Sequence, residues 1–162
     1  MRRQFGKTIV KLAEKDERIV LIIGDVEQEM KEFMEKFPNR FYNLGICEQS
    51  MISIAAGMAL EGLRPIVYSI TSFLIERPFE QIKLDVDQQK ANVKLVGFAD
   101  YPSLGPSHSE LNAKKLMQLF KNVKSFFPKN SLETEKTIYK CYKKIGPTFI
   151  SLKSDKTIGK NW

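Results

Sequence analysis

The hydrophobic residues of this chain form short apolar runs that alternate with amphipathic segments. Short continuous runs are typical of strands that are buried on both faces of a sheet. The segments between them place apolar residues three and four positions apart, which predicts helices with one inward face. The pattern predicts strands at residues 19–24, 41–44, 65–70, 93–98, 123–127 and 148–152, and helices at residues 7–15, 27–36, 46–61, 76–89, 110–120 and 132–144.

Alternating strands and helices at this spacing are typical of a parallel sheet that helices cover on both faces. We therefore predict an α/β fold with three layers, α/β/α, around a mostly parallel six-stranded sheet. Ligands of such sheets bind beyond the carboxyl ends of the strands. Residues 45–48, 71–73 and 99–108 follow the second, third and fourth predicted strands. We expect these three segments to meet at one edge of the sheet.

Composition limits the possible classes of function. The 162 residues suit one domain, and 43% apolar residues suffice for a core. The net charge of +7 comes mostly from scattered lysines, with no basic stripe and no zinc-type spacing. Neither a membrane-length apolar run nor a signal-peptide core is found. Cys47 and Cys141 are too far apart to form a framework, and Cys47 is expected to be a buried free thiol. The sequence predicts a cytoplasmic protein that binds neither nucleic acid nor membrane.

Residues 40–62 carry the most specific pattern of the chain. They read RFYNLGICEQSMISIAAGMALEG, where a β-type run meets a glycine and Glu48 falls in the opening turn of a helix. That helix is apolar nearly all round and is therefore predicted to be buried. Position alone offers a simple explanation of Glu48, because acids stabilise helix N-termini by about 0.3–1 kcal/mol. A carboxylate at the start of a buried helix also suits a site that binds a cofactor.

The same segment resembles the pyrimidine-binding domain of transketolases and deoxyxylulose-phosphate synthases. The resemblance rests on the G-I-x-E-Q motif around Glu48 and on the following A-A-G-M-A, and it extends over residues 19–152. In that family, the glutamate binds the aminopyrimidine ring of thiamine diphosphate and helps the cofactor to lose a proton. The resemblance therefore implies that Glu48 is a catalytic and cofactor-binding acid.

Four further residues acquire candidate roles from this resemblance. Phe73 and Phe79 lie in the pattern F-x-x-x-R-x-F-E-Q-I, which also contains Arg77, and aromatic residues there stack on the cofactor pyrimidine in the family. On the residues alone, both are better explained as core aromatics. His108, the single histidine, matches a family loop whose histidine meets the substrate. Asp25 matches a cofactor-side acid after the first strand, and the alternative is a cap of the following helix.

The chain contains no sign of a diphosphate-binding half. The family holds the diphosphate through a divalent metal with a G-D-G motif and a downstream asparagine, and neither occurs here. We expect residues 1–162 to form a single pyrimidine-binding domain, with the diphosphate-binding and C-terminal transketolase domains absent and no metal ligand. The resemblance then implies a partner subunit that holds Mg²⁺ and the diphosphate, in a heterotetramer with two copies of each chain.

The implied reaction is transfer of a two-carbon ketol unit between sugars that are phosphorylated or otherwise anionic. Two alternatives stay open at this point. One is the small subunit of a split 2-oxoacid decarboxylase, although the motifs around Glu48 look more like those of transketolases. The other is a non-catalytic paralogue that only binds the partner, and the presence of Glu48 argues against it.

Overall fold

The computed structural model describes residues 1–99 and 104–153 of the chain. Six parallel strands form one sheet in the order β2-β1-β3-β4-β6-β5. The strands are β1 (Ile19–Ile23), β2 (Phe41–Asn43), β3 (Arg64–Ile70), β4 (Lys94–Phe98), β5 (Lys124–Phe126) and β6 (Thr148–Leu152). Helices cover both faces of the sheet, so the predicted three-layer α/β fold is confirmed. Residues 100–103 of the predicted loop after β4 lie outside the described residues.

Two apolar cores lie on opposite faces of the sheet. The helices are α1 (Arg2–Ala13), α2 (Lys31–Lys36), α3 (Glu48–Leu60), α4 (Thr71–Ile75), α5 (Phe79–Gln81), α6 (Ala113–Met117) and α7 (Ser131–Lys143). Helices α1, α2 and α7 pack on one face, whereas α3, α4 and α6 pack on the other. Side chains of β1 alternate between the two cores, and all five of its residues are buried. No helix in the described ranges has the length and apolarity to cross a membrane.

Helix α1 begins five residues before its predicted start at residue 7, because its first turn is anchored in the core. Arg2 is buried, forms an ion pair with Glu29 at 3.2 Å, and stacks over the Phe98 ring at 3.9 Å. Phe5 packs on Tyr68 with 5.2 Å between the ring centroids. The hydrophobic pattern did not predict this first turn, because Arg2 and Arg3 within it are basic.

The helix predicted for residues 76–89 begins three residues later than predicted, at Phe79, and most of it is π-helical. The segment contains α5 and a π-helical stretch, Ile82–Gln88, and a break at residues 76–78 separates them from α4. Pro78 explains the break, because a proline disfavours the helical conformation of the residue before it. Phe79, Ile82 and Val86, whose spacing predicted the helix, all follow this break and lie in α5 or the π-helical stretch. That interruption places Arg77 outside any helix.

Helix α3 is not buried all round, contrary to the prediction. Met51, Ile52, Ala55 and Ala56 face the core, and the opposite side of the helix is exposed. That side includes large apolar residues, with Ile54 42% and Leu60 60% exposed, and Ile46 just before the helix is 67% exposed. A sheet covers only one side of a helix, so a second apolar side needs another covering surface.

Asp16 joins three elements at the amino edge of the sheet. Its carboxylate accepts hydrogen bonds from Arg18 Nε at 2.8 Å, Arg18 Nη2 at 2.9 Å and the Tyr142 hydroxyl at 2.9 Å. Arg64 Nε of β3 lies 3.5 Å away. The hydrogen bonds from Arg18, followed by that from Tyr142, hold the pKa of Asp16 well below its usual range. Asp16 thus ties the α1–β1 turn to α7 and β3.

Replacing Asp16 should test this anchor. Asp16→Asn should lower the free energy of unfolding at pH 7 by about 1–3 kcal/mol, as for hydrogen bonds to charged groups. Because the pKa of Asp16 is lower in the folded chain, its stabilisation is present above the unfolded value of about 3.9 and is lost as the pH falls below it. Urea unfolding should therefore show a smaller difference between variant and wild type at about pH 3 than at pH 7.

Glu17→Gln is the matched control, because Glu17 is an exposed neighbour of Asp16. Its effect should stay within about 0.5 kcal/mol at both pH values. A deficit of Asp16→Asn that is the same at both pH values would contradict the role of the ionised carboxylate.

Gly97 lets α4 approach the sheet. A Cβ atom at this position of β4 would come 2.6 Å from Thr71 Oγ1 and 3.1 Å from Thr71 Cα. Helix α4 begins at Thr71, directly after the last residue of β3. The backbone at the start of α4 therefore lies against Gly97, and any side chain there would push the helix outwards.

Gly97→Ala should destabilise the chain by about 1–3 kcal/mol, as overpacking in a tight core does. Thermal unfolding followed by circular dichroism measures the change. Gly57→Ala is the control, because Gly57 lies in α3 and an added Cβ there meets nothing within 4 Å. That variant should gain about 0.5–1 kcal/mol from helix propensity. Equal stability of the two variants would exclude the close contact at Gly97.

Candidate active site

Glu48 is the first residue of α3, and only 1% of its surface is exposed. A sharp turn precedes it, where Gly45 adopts a positive φ of 70° that favours glycine. The Gly45 N–H donates a hydrogen bond to Asn43 Oδ1 at 3.0 Å, which ties the turn to the end of β2. The carboxylate thus reaches the carboxyl edge of the sheet from a fixed position. Cys47, expected to be buried, is exposed, and it is a free thiol like Cys141.

Two side chains contact the Glu48 carboxylate. Arg77 Nη1 donates a hydrogen bond to Oε2 at 3.0 Å, and Ser69 Oγ lies 3.4 Å from Oε1. Ser69 lies near the end of β3, and Arg77 lies in the break between α4 and α5. Burying a charge costs several kcal/mol unless a partner compensates for it. The guanidinium group supplies that partner.

Arg77 also stacks on an aromatic ring. Its guanidinium carbon lies 3.6 Å from the centroid of the Phe73 ring, a favourable arrangement of a cation over an aromatic face. The Arg77 side chain is 34% exposed, so one side of it faces solvent. In the sequence, Arg77 is recognised only as part of the pattern F-x-x-x-R-x-F-E-Q-I. No sequence signal predicts its ion pair with Glu48, 29 residues away.

His108 lies beside the same aromatic ring. Its imidazole meets the Phe73 ring edge-on, with 4.8 Å between the centroids. Ser107 holds its loop against α4, because the Ser72 hydroxyl donates to the Ser107 carbonyl at 2.8 Å. A second tie joins the same segments, from the Leu111 N–H to a carboxylate oxygen of Glu76 at 2.7 Å. The structure therefore brings together Glu48, Phe73 and His108, as the positions after three strands predicted.

A row of small residues lies beneath this group. Ser69, Gly97 and Ser151 are register neighbours on β3, β4 and β6, and Gly24 follows β1 beside Ser69. A Cβ atom at Gly24 would come 3.1 Å from Met51 Sδ of α3 and 3.2 Å from the Gly45 carbonyl oxygen. The small side chains allow α3 and α4 to lie close to the sheet at its carboxyl edge.

Phe79 and Asp25 make their contacts with other residues. The Phe79 ring packs on Phe120 with 4.9 Å between the centroids, and it borders the core under α3. Asp25 is exposed with a φ of 60°, and its N–H donates to Asn43 Oδ1 at 3.2 Å. The alternative of a helix cap is wrong for Asp25, because the cap position of α2 is Met30.

The arrangement can hold a flat group that donates an N–H. Such a group would stack on Phe73 and donate to the carboxylate of Glu48, as the guanidinium group of Arg77 does. An aminopyrimidine ring is also flat and carries hydrogen-bonding nitrogens at its edge, so these residues fit it. Within the described ranges, no group of three or more His, Cys, Asp or Glu side chains is placed to hold a metal ion.

Comparisons with known proteins identify the family and agree with the fold. The sequence matches the family model "Transketolase, pyrimidine binding domain" over residues 1–157. It is 34% identical over 139 residues to one subunit of the apulose-4-phosphate transketolase of Actinobacillus succinogenes, covering 83% of this chain and 45% of that protein. It is also 34% identical over 152 residues to 1-deoxy-D-xylulose-5-phosphate synthase of Oleidesulfovibrio alaskensis, covering 90% of this chain and 23% of that protein.

Solved structures show the same fold. A structure described as "Split gene transketolase, inactive beta4 tetramer" superimposes with a TM-score of 0.86 at 30% identity, covering 95% of this chain and 50% of that one. Transketolase from Campylobacter jejuni gives a TM-score of 0.83 at 18% identity, covering 94% of this chain and 25% of that one, which supports the fold alone. The chain spans half or less of the length of each of these relatives. The chain belongs to the transketolase family, and its fold is that of the family's pyrimidine-binding domain.

Proposed function

We propose that this chain is the pyrimidine-binding subunit of a thiamine diphosphate-dependent, transketolase-like enzyme that transfers a two-carbon ketol unit between sugars. The observation that carries the proposal is the buried Glu48 carboxylate at the start of α3. Beside it, the guanidinium group of Arg77, a flat N–H donor, stacks on Phe73. The net charge of +7 is compatible with anionic sugar substrates.

Each residue of the group has a distinct role in this proposal. When bound, thiamine diphosphate supplies the reactive carbon that carries the two-carbon unit. Glu48 receives the edge of the pyrimidine ring and shares a proton with a ring nitrogen. Phe73 stacks on the ring face. His108 lies in edge contact with the Phe73 ring. It forms a hydrogen bond with the substrate, as donor or as acceptor.

A partner subunit would supply the rest of the site. The sequence lacks the G-D-G motif and downstream asparagine with which the family binds Mg²⁺ and the diphosphate. One relative is named as a single subunit of its transketolase, and one similar structure is described as a split-gene transketolase in an inactive tetramer of β chains. Both names support a split enzyme. We propose that the partner holds the metal and that two copies of each chain form a heterotetramer.

The exposed side of α3 is suited to contact another subunit. Ile54 and Leu60 lie on it, and the space above Gly57 is open. An apolar helix side of this kind is usually covered in the assembled protein, and a glycine allows close approach of another backbone. We therefore propose that this side of α3 forms part of the subunit interface.

Glu48→Gln should lower turnover of the complex with the diphosphate-binding subunit by about 10²–10⁴-fold, as loss of an acid–base group does. Turnover is measured from hydroxypyruvate and an aldose acceptor, with the lengthened ketose quantified as product. Glu61→Gln, an exposed acid at the other end of α3, is the matched control and should leave turnover unchanged.

The same assay should detect no turnover by the purified chain alone. Near-wild-type turnover of a Glu48→Ala complex would reduce Glu48 to a helix-stabilising residue. Carbon dioxide and free aldehyde without a lengthened ketose would indicate a decarboxylase instead of a transferase.

Gly57→Leu should weaken assembly at least about tenfold, because a large side chain would occupy the space needed by the facing subunit. The isolated chain should not lose thermal stability, since the added atoms point into open space and leucine, like alanine, favours a helix more than glycine does. Size-exclusion chromatography with light scattering measures assembly across a dilution series. Lys7→Leu adds an exposed leucine to α1 on the opposite face of the sheet and is the control. Unchanged assembly of Gly57→Leu would exclude this side of α3 as an interface.

A further inference from the structure

We propose that Arg77 occupies, in the free subunit, the place that the aminopyrimidine ring takes in the assembled enzyme. The guanidinium group must then move out before the ring can bind. This inference rests on the proposed function, because it assigns an occupant to the same slot between Phe73 and Glu48. It makes Arg77 an internal competitor of the cofactor.

The geometry of Arg77 meets the same demands as the ring. Its guanidinium carbon lies 3.6 Å above the Phe73 ring, the distance of direct stacking. Its Nη1 donates to Glu48 Oε2 at 3.0 Å. Flat shape, a stacking face and an N–H directed at the carboxylate are the properties through which a pyrimidine edge would be recognised. While Arg77 makes this 3.6 Å contact, a second flat group cannot stack on the same face of Phe73.

Burial of Glu48 explains why the free subunit needs such an occupant. The carboxylate is 1% exposed and accepts hydrogen bonds from Arg77 and Ser69. Without Arg77, a charge at this depth would keep only the 3.4 Å contact with a neutral hydroxyl. A buried charge that loses its partner is strongly destabilising. The free chain therefore gains stability by filling the slot with its own cation.

The location of Arg77 also allows it to leave. Arg77 lies in the break between α4 and α5, and its side chain is 34% exposed. The guanidinium group can therefore turn into solvent without unwinding a helix. The bound ring then takes over the contact with Glu48, so the carboxylate has a partner in both states.

The opposite arrangement makes a different prediction. If Arg77 stayed in contact with Glu48 while the ring bound elsewhere on Phe73, Arg77 would assist binding. Removing Arg77 would then weaken binding of the pyrimidine. In the arrangement that we propose, removing Arg77 strengthens binding to the isolated chain. The sign of the change separates the two.

The experiment uses the isolated full chain and thiamine, which has the aminopyrimidine ring but no diphosphate and so needs no partner subunit. Isothermal titration calorimetry should show at least tenfold tighter binding of thiamine to Arg77→Ala than to the wild type. Arg77→Met keeps most of the aliphatic volume and should show the same gain if the alanine variant folds poorly. Arg40→Ala removes another arginine that stacks on a phenylalanine, 4.2 Å from Phe37, and should show no gain.

A second substitution locates the gain. Adding Glu48→Ala to Arg77→Ala should abolish the tighter binding, because the ring loses its acceptor. Binding of thiamine to Arg77→Ala and Arg77→Met that is equal to or weaker than that of the wild type would overturn the proposal. So would a gain that survives the loss of Glu48. Either result, combined with a large loss of turnover in the Glu48→Gln complex, would leave the proposed function intact and remove only the role of Arg77.

Discussion

A carboxylate that is almost completely buried must have a partner, and this requirement governs the carboxyl edge of the sheet. Glu48 is buried by the start of α3, and the guanidinium group of Arg77 compensates for its charge. The position of Arg77 depends in turn on the break at residues 76–78. If a continuous helix began at residue 76, the Arg77 side chain would leave the backbone in a different direction. The ion pair thus links the helix start, the break and the aromatic ring of Phe73.

Most of the group comes from one continuous segment. Residues 69–77 supply Ser69, Phe73 and Arg77, and they run from the end of β3 through α4 without an intervening loop. Such a direct connection is possible because Gly97 of the neighbouring strand has no side chain. Only Glu48 and His108 come from elsewhere. The first is fixed by its own helix, and the second by the hydrogen bonds that its loop makes with Ser72 of α4 and with Glu76 just after α4.

The sequence predicted the fold because strand-like runs and helical spacing alternate without ambiguity, and parallel sheets bring strand ends together. It also predicted the position of Glu48, since a glycine, an acid and a run of small apolar residues mark a helix start. It could not predict the pair with Arg77, which depends on side-chain torsions between segments 29 residues apart. Phe79 illustrates the same limit, because its spacing suits both a site and a core, and packing on Phe120 places it against the core.

Two errors in the predicted elements have a common physical cause. Hydrophobic periodicity reports which side of a segment is apolar and does not report whether the backbone is continuous or what covers that side. The spacing of Phe79, Ile82 and Val86 did not reveal the break just before them at residues 76–78, and α3 kept apolar residues on the side that no part of the sheet covers. In both places the interruption or exposure lies at the candidate site or at the surface proposed to meet another subunit.

Helix α3 carries Glu48 at its first turn and the exposed apolar side along the rest of its length. Because Glu48 and the exposed side belong to one continuous helix of 13 residues, a displacement of that side would also displace the carboxylate. If that side is the subunit contact, dissociation and loss of catalytic geometry are a single event. Specific activity would then fall when the enzyme is diluted, and the cell could regulate the reaction through the abundance of either subunit alone.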